Sequence, residues 1–353
     1  MGYTARRAAV QTLVVIGLVA LALALWKLRL VVGLIFAAMI IAAAIRPGVD
    51  WLQARLRIPR VAGVLLHYAM FVGVIALALS FAVPAALHQV DHALSPSGKA
   101  QIAQAAKHST GIKHDILVSL QKRLKHLPRA SHLTGPAAAA GKKAFVILIG
   151  ILFTFAAAAY WVFERDRAVD VVTSLLPRPK RKLVRDTWTL IDLRLGAFVR
   201  GQVLLIVLVG VVLSLLFWAI GEPYWLLVGS FAGLVEVVPV IGPLSAGIIA
   251  VAVGLTSSLH VAILAATCVL AVRLLEDYVV MPKVLGGVVG LSPLLVLFAV
   301  TSVGILFSGW AVLFAVPIAA VVVTLFDVVL RDLDPAEQDP PAILFSPSES
   351  EPH

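Results

Sequence analysis

The sequence predicts an all-α polytopic membrane protein with about eight membrane segments, two broken or re-entrant helical hairpins among them, plus a small extracytoplasmic helical insert. Three observations carry that prediction. Of the 353 residues, 61% are hydrophobic and 14% charged, with a mean hydropathy of +1.00, where an ordinary soluble domain has about 25% charged residues. The apolar residues come in runs of about 20, the length a helix needs to cross roughly 30 Å of hydrocarbon. Two further pairs of shorter apolar runs meet at proline and glycine rather than at a polar loop.

The first two spans are expected at about Ala8 to Trp26 and Leu28 to Ile45, with Lys27 at a tight turn. Arg6 and Arg7 precede the first, as in a signal peptide, but no cleavage site follows, so it is read as an uncleaved span. Residues 46–60, RPGVDWLQARLRIPR, form a cytoplasmic amphipathic loop, with four arginines against Asp50 and apolar positions that suit a short interfacial helix. A third span, Val61 to Leu87, completes the N-terminal unit of residues 1–87. Residues 88–143 are a hydrophilic extracytoplasmic helical insert carrying His88, His92, His108, His114, His126 and His132. With no cysteine and few carboxylates to complete a ligand set, it reads as a solvated basic face, not a metal site.

A fourth span, Ala144 to Phe163, leads into a basic cytoplasmic linker, so that residues 144–202 form one unit. Arg178, Lys180, Arg181, Lys182 and Arg185 place that linker inside. Residues 203–330 form a transport core, and residues 331–353, rich in Asp, Glu and Pro, form a disordered cytoplasmic tail. Both termini are expected inside. The formal charge of +10 lies in short segments between apolar runs, which argues for orientation signals and against nucleic-acid binding. Cys268 is the single cysteine and sits in an apolar run; no internal disulfide is possible and an inert packed thiol is expected.

Within the core, a fifth span from Val203 to Ile220 ends at Gly221-Glu222-Pro223. Residues 225–238 and 244–255 are each too short to cross comfortably, and VPVIGP between them puts Pro239, Gly242 and Pro243 at membrane depth. Proline removes a backbone donor, so freed polar groups there must line protein or water rather than lipid. After a span from His260 to Val280 the pattern recurs, with residues 293–307 and 310–330 flanking Ser308-Gly309. Pro223 precedes Pro239 by the same separation as Pro293 precedes Gly309. One intervening span would invert the second unit relative to the first, an arrangement found in secondary transporters. Eight plain spans with two broken helices is the alternative.

Ionisable groups in a bilayer are costly, by roughly 2.5 to 3.5 kcal/mol at a helix centre, so each needs an account. Glu236 stands just before Pro239, where a carboxylate beside freed carbonyls suits a cation or a proton; it could equally serve only to satisfy the broken helix. In RLLEDYVVMPK, residues 273–283, Arg273 is three positions from Glu276 and four from Asp277, so both acids can reach it on one face. The spare acid couples to an ion or proton, or sits at the water boundary near Pro282 and Lys283. Arg194, Arg200 and Gln202 flank the fifth span and are expected to snorkel to the interface, with Asp327 interfacial too. The chain has no HExxH, GxSxG or GxxxxGK[ST] signature, so neither an enzyme nor an ATP-driven pump is indicated, and no cofactor is called for.

Three blocks, GEPYWLLVGSFAGLVEVVPVIGP (221–243), LLEDYVVMPKVLGGVVGLSPL (274–294) and AVPIAA (315–320), together with RPGVDWLQARLRIPR, resemble the autoinducer-2 exporter family of bacterial permeases. The resemblance implies a multi-pass protein of the bacterial cytoplasmic (inner) membrane that exports a small solute such as autoinducer-2 or exchanges sodium for protons, and that forms a homo-oligomer. It carries Pro239, Gly242 and Pro243 over from the proline-glycine motif, and Glu276, Pro282, Lys283, Gly286, Leu291 and Pro293 from the second block. Position 236 is often an amide in that family, whereas this chain has Glu236.

The resulting expectation is a secondary transporter with its solute path between the two hairpin units and Glu236, Glu276 and Asp277 setting ion coupling. A non-transporting membrane scaffold, recruiting partners through its basic loop, is the competing class.

Overall fold

The computed structural model describes residues 2–94, 134–238, 241–280, 292–307 and 309–338. Among these residues it is helical, with no strand, as the hydropathy predicts. The order is α1 (Gly2–Lys27), α2 (Arg29–Leu56), α3 (Arg60–Leu94), α4 (Thr134–Ser174), α5 (Arg178–Ala219), α6 (Trp225–Val235), α7 (Ile241–Ser257), α8 (Leu259–Leu275), α9 (Pro293–Leu306) and α10 (Ala315–Leu330). Among the described residues, five helical stretches are long and apolar enough to cross a membrane. Large apolar side chains such as Leu18, Leu65, Leu152, Leu215 and Ile263 are more than half exposed, while Thr154, Gln202, Ser214, Glu222, Glu236, Glu276 and Thr324 are buried. Apolar groups outward and polar groups inward is the arrangement that a lipid solvent imposes.

Several boundaries differ from the sequence reading. The amphipathic residues after Arg46 are helical, but they continue α2 through Pro47 to Leu56 instead of forming a separate interfacial helix. Arg57 then takes a left-handed conformation (φ 53°) and its N–H returns to the Leu52 carbonyl, which ends the helix one residue before Ile58-Pro59. The basic linker is not a loop either. Its residues belong to the end of α4 and the start of α5, 41 and 42 residues long, or about 60 Å each at 1.5 Å per residue, twice the hydrocarbon thickness.

Ion pairs make that extension possible. Arg165, only 8% exposed, bonds Asp192 of α5 at 2.7 Å and Asp166 at 3.0 Å. Arg46 of α2 reaches Asp166 at 3.1 Å and Asp50 at 3.5 Å. Charges that served only as orientation signals in the sequence therefore knit α2, α4 and α5 together. The tail differs as well: Asp334 accepts from the Ala336 N–H, and a 3₁₀ turn at Pro335–Glu337 with buried Pro335 packs on α5. Residues 339–353 and most of the insert, 95–133, lie outside the described residues.

Helix α5 organises the rest. Leu195 in its first half packs with Ile40 and Ala43 of α2 and with Phe314 and Val321 of the last unit. Val209, Leu213 and Phe217 in its second half pack with Val228 and Ala232 of α6, Ala246 and Ala250 of α7, and Ala265 and Val272 of α8. The α5–α6 crossing is close because it is lined by glycine. A methyl on Gly233 would stand 2.6 Å from the Gly210 Cα, and one on Gly229 would stand 2.6 Å from the Ser214 Cα.

Gly233→Val is expected to lose about 1 to 3 kcal/mol, the usual cost of overpacking, seen as a lower melting temperature in detergent. Gly73→Val, at a position with open space around its Cβ, is expected to melt like the parent.

Candidate functional site

The sequence places the interruption at 238–243, and the structure ends α6 a little earlier, at Val235. Helix α6 has 11 residues and α7 has 17, about 17 and 26 Å, so neither covers roughly 30 Å of hydrocarbon. They pack side by side as a hairpin. Gly242 is the reason the arms can close: a Cβ there would overlap the Val235 carbonyl oxygen. Pro243 occupies the first turn of α7, where its missing N–H costs no helical bond. Pro239 lies outside the described residues.

Glu236 caps the C-terminal end of α6 and its side chain is buried. It meets Arg273 of α8, whose Nη1 lies 3.4 Å from Glu236 Oε1 and 3.2 Å from Glu276 Oε2. The other guanidinium nitrogen lies 3.0 Å from Asp277 Oδ1. Both pairs expected from the three- and four-residue spacing are present, and Glu236 adds a third acid. One guanidinium thus faces three carboxyl groups, two of them buried, while Asp277 is partly exposed. Glu276 Oε1 has no hydrogen-bond partner.

Two local features hold this arrangement. At Glu276 the α-helix passes into a π-helical turn, Glu276–Val280, a wider winding often found at functional sites. On the other side, Gln202 of α5 donates from Nε2 to the Glu236 backbone carbonyl at 3.0 Å. That carbonyl belongs to the interrupted end of α6, and an unpaired carbonyl in a dry site costs about 1 to 3 kcal/mol. Gln202 is buried, so its expected place at the lipid interface is corrected. Arg194 and Arg200 do not snorkel either: Arg194 donates to Thr324 of α10 at 2.8 Å and Arg200 to the Ala44 carbonyl of α2 at 3.1 Å. Asp327 pairs with Arg331 at 3.1 Å.

Beside these acids is a cavity of about 10 Å³, lined by Glu236, Pro243, Arg273 and Glu276 on one side and Leu213 and Val269 on the other. That is about the space of a single water. A larger cavity of about 410 Å³ lies elsewhere, between α2, α5 and α10, with an apolar lining that includes Phe36, Trp188 and Leu325 and the carboxylate-bearing Asp192.

Among the described residues, the second unit packs mainly on α2 and the first half of α5. Helix α9 begins at Pro293, with Ser292 as N-cap accepting from the Leu295 N–H at 3.3 Å. Gly309 opens a 3₁₀ segment, Gly309–Phe314, that leads into α10. Phe314 stands edge-on to Phe36 of α2, with ring centroids 6.1 Å apart. The principal packing of the second unit is on the first half of α5, whereas the acid cluster faces the second half. Among the described residues, α5 supports each unit on a different half. Pro282, Lys283 and Gly286 lie outside the described residues.

Comparison with known proteins agrees with this architecture. The family model described as AI-2E family transporter matches residues 14–331. Two proteins of Bacillus subtilis (strain 168), named "Putative transport protein" YrrI and YueF, are similar to the chain. YrrI is 24% identical over 308 residues, covering 83% of this chain and 86% of its own. YueF is 26% identical over 296 residues, covering 78% of each.

Removing the guanidinium leaves two buried acids without a counter-charge. Arg273→Leu is expected to lose on the order of 3 kcal/mol, measured as detergent-solubilised unfolding. Adding Glu236→Gln to Arg273→Leu is expected to recover part of that loss.

Proposed function

The chain belongs to the AI-2E transporter family, and from that premise we propose that it is a secondary transporter of the bacterial cytoplasmic membrane, exporting a small solute such as autoinducer-2 with proton or sodium coupling. It is a multi-pass membrane protein, and the chemistry available within the described residues is binding and exchange of ions. The observation that carries the proposal is the buried cluster at the α6 break, where Arg273 faces Glu236, Glu276 and Asp277.

The physical reasoning is a matter of charge. One fixed positive charge cannot balance three ionised acids in a site of low dielectric, so a proton or a small cation completes the neutrality. Whatever completes it is exchangeable, which is the property coupling requires. Glu236 and Glu276 are assigned to that exchange, Asp277 to its water-facing side, and Gln202 to holding the broken end of α6. Pro239, Gly242 and Pro243 supply the interruption. Pro282, Lys283, Gly286 and Pro293 are assigned by resemblance to the family's second block, and Gly309 by the repeat of the break.

The cavity beside the cluster favours a sodium/proton antiport activity as the second reading, because about 10 Å³ accommodates a water or a bare ion but no organic solute. In the export reading the solute takes a different route past α5, or enters when the hairpin moves. We further propose both termini in the cytoplasm and a homo-oligomeric assembly.

Purified protein in proteoliposomes tests these readings, with sodium, pH and autoinducer-2 gradients imposed separately. Glu236→Gln and Glu276→Gln are each expected to reduce coupled flux at least tenfold and to flatten its pH profile. Parent-like flux from both variants across the pH range would remove the coupling roles. Absence of any flux from the parent, together with a stably co-purifying protein, would favour the scaffold class.

A further inference from the structure

The coupling cluster leaves one buried acid unused. Glu222 is 2% exposed, and both its carboxyl oxygens are buried without a hydrogen-bond partner. The local chain geometry explains how it came to be there. Helix α5 ends with Gly221 in the left-handed conformation (φ 71°). The Gly221 N–H bonds the Trp218 carbonyl at 3.1 Å, and the Glu222 N–H bonds the Phe217 carbonyl at 2.9 Å. This is a Schellman closure, and the residue in the position of Glu222 turns back onto the last turns of the helix, where an apolar side chain is usual. Pro223 then prevents the helix from continuing. A glutamate in that position is carried inward by the backbone.

Among the described residues, no cation is placed against it. A methyl on Gly254 of α7 would stand 3.1 Å from Glu222 Oε2 and 2.8 Å from the Ala262 Cα of α8. The carboxyl therefore rests against the close crossing of α7 and α8. From Val203 to Ser257, the second half of α5 with α6 and α7, the titratable side chains besides Glu222 are Tyr224 and Glu236. On α8, Cys268 is half-buried, His260 is exposed in the first turn and Arg273 lies at the far end in the cluster already described. Helix α3, which also packs on α6, turns His67 to its own Gly63 carbonyl and Tyr68 to the Phe155 carbonyl. No group of three acid, histidine or cysteine side chains gathers among the described residues to hold a metal ion.

We propose that Glu222 is a proton-binding site, its carboxyl neutral and sealed under the α7–α8 crossing at the opposite end of α6 from Glu236. An ionised carboxylate buried without partners is too costly to keep, whereas a proton removes the charge without requiring further ligands. With α6 11 residues long, the two ends are separated by about 17 Å. The three-helix unit of α6, α7 and α8 thus carries an acid at each end, with a small-residue core between. Burial alone pushes the carboxyl of Glu222, which lies in the turn between helices, up to about 8. This assignment does not depend on which solute or ion the protein moves.

The sign of the pH effect follows. The folded state keeps a proton that the unfolded chain releases above about 4.3. The stabilisation is therefore complete at low pH and is lost as pH rises through the window up to about 8. Infrared spectra of the full-length protein in detergent test it. At about pH 7, well above the ordinary carboxyl value, the parent is expected to show a protonated-carboxyl band that is absent from Glu222→Gln. That band is expected to titrate away near 8, and the parent's melting temperature to fall over the same window while Glu222→Gln falls less. Should Glu222→Gln not fold, Glu222→Asp is expected to shift the band instead of abolishing it. If neither variant changes the protonated-carboxyl region at neutral pH, the assignment is wrong, whatever the flux experiments on Glu236 and Glu276 give.

Discussion

A backbone carbonyl released from a helix inside hydrocarbon has to find a donor, and here Gln202 supplies one to Glu236. The α6–α7 hairpin depends on that bond and on the closeness that Gly242 permits at its tip. With the tip held, Glu236 is fixed at the end of α6 and faces Arg273 on α8. The charge cluster is therefore a consequence of how a broken helix is satisfied in a dry environment. The same residue, Glu236, offers its backbone to one neighbour and its side chain to another.

Helix α5 does more than cross. Its first half, extended by the Arg165–Asp192 pair, carries α2 and the last unit, and its second half carries the hairpin and α8. Glycine at the α5–α6 crossing brings the backbones together, so association there rests on close packing rather than on a difference in hydrophobicity, which lipid does not supply. Because the two interrupted units lean on different halves of one helix, a shift of α5 would be felt by both.

The chemistry at the first break is set by imbalance. Asp277 is partly exposed, whereas Glu236 and Glu276 are buried, so the three acids that share Arg273 differ in their access to water. Space for about one water lies beside the acids. The apolar cavity near Trp188 and Leu325 is some 400 Å³ larger and lies on the other half of α5.

Much of this was legible from residues that violate the expected pattern. An ionisable Glu236 in an apolar run, a proline-glycine break after it and the spacing of Arg273, Glu276 and Asp277 each stand out because hydrocarbon penalises them and helical geometry relates them. Gln202 did not stand out, since beside Arg200 at the edge of an apolar run it looks like any interfacial residue; only the crossing of α5 with α6 turns it inward. Glu222 left a signal in its Gly-Glu-Pro setting, but its burial depends on α7 and α8 closing over it. By itself the sequence determined the solvent, the helices, the breaks and the acids, because these follow from hydropathy and from contacts within one turn. Which breaks meet which acids, and that α5 stands between the two units, were decided by the tertiary structure, because those contacts join residues far apart in the chain through packing that no local pattern records.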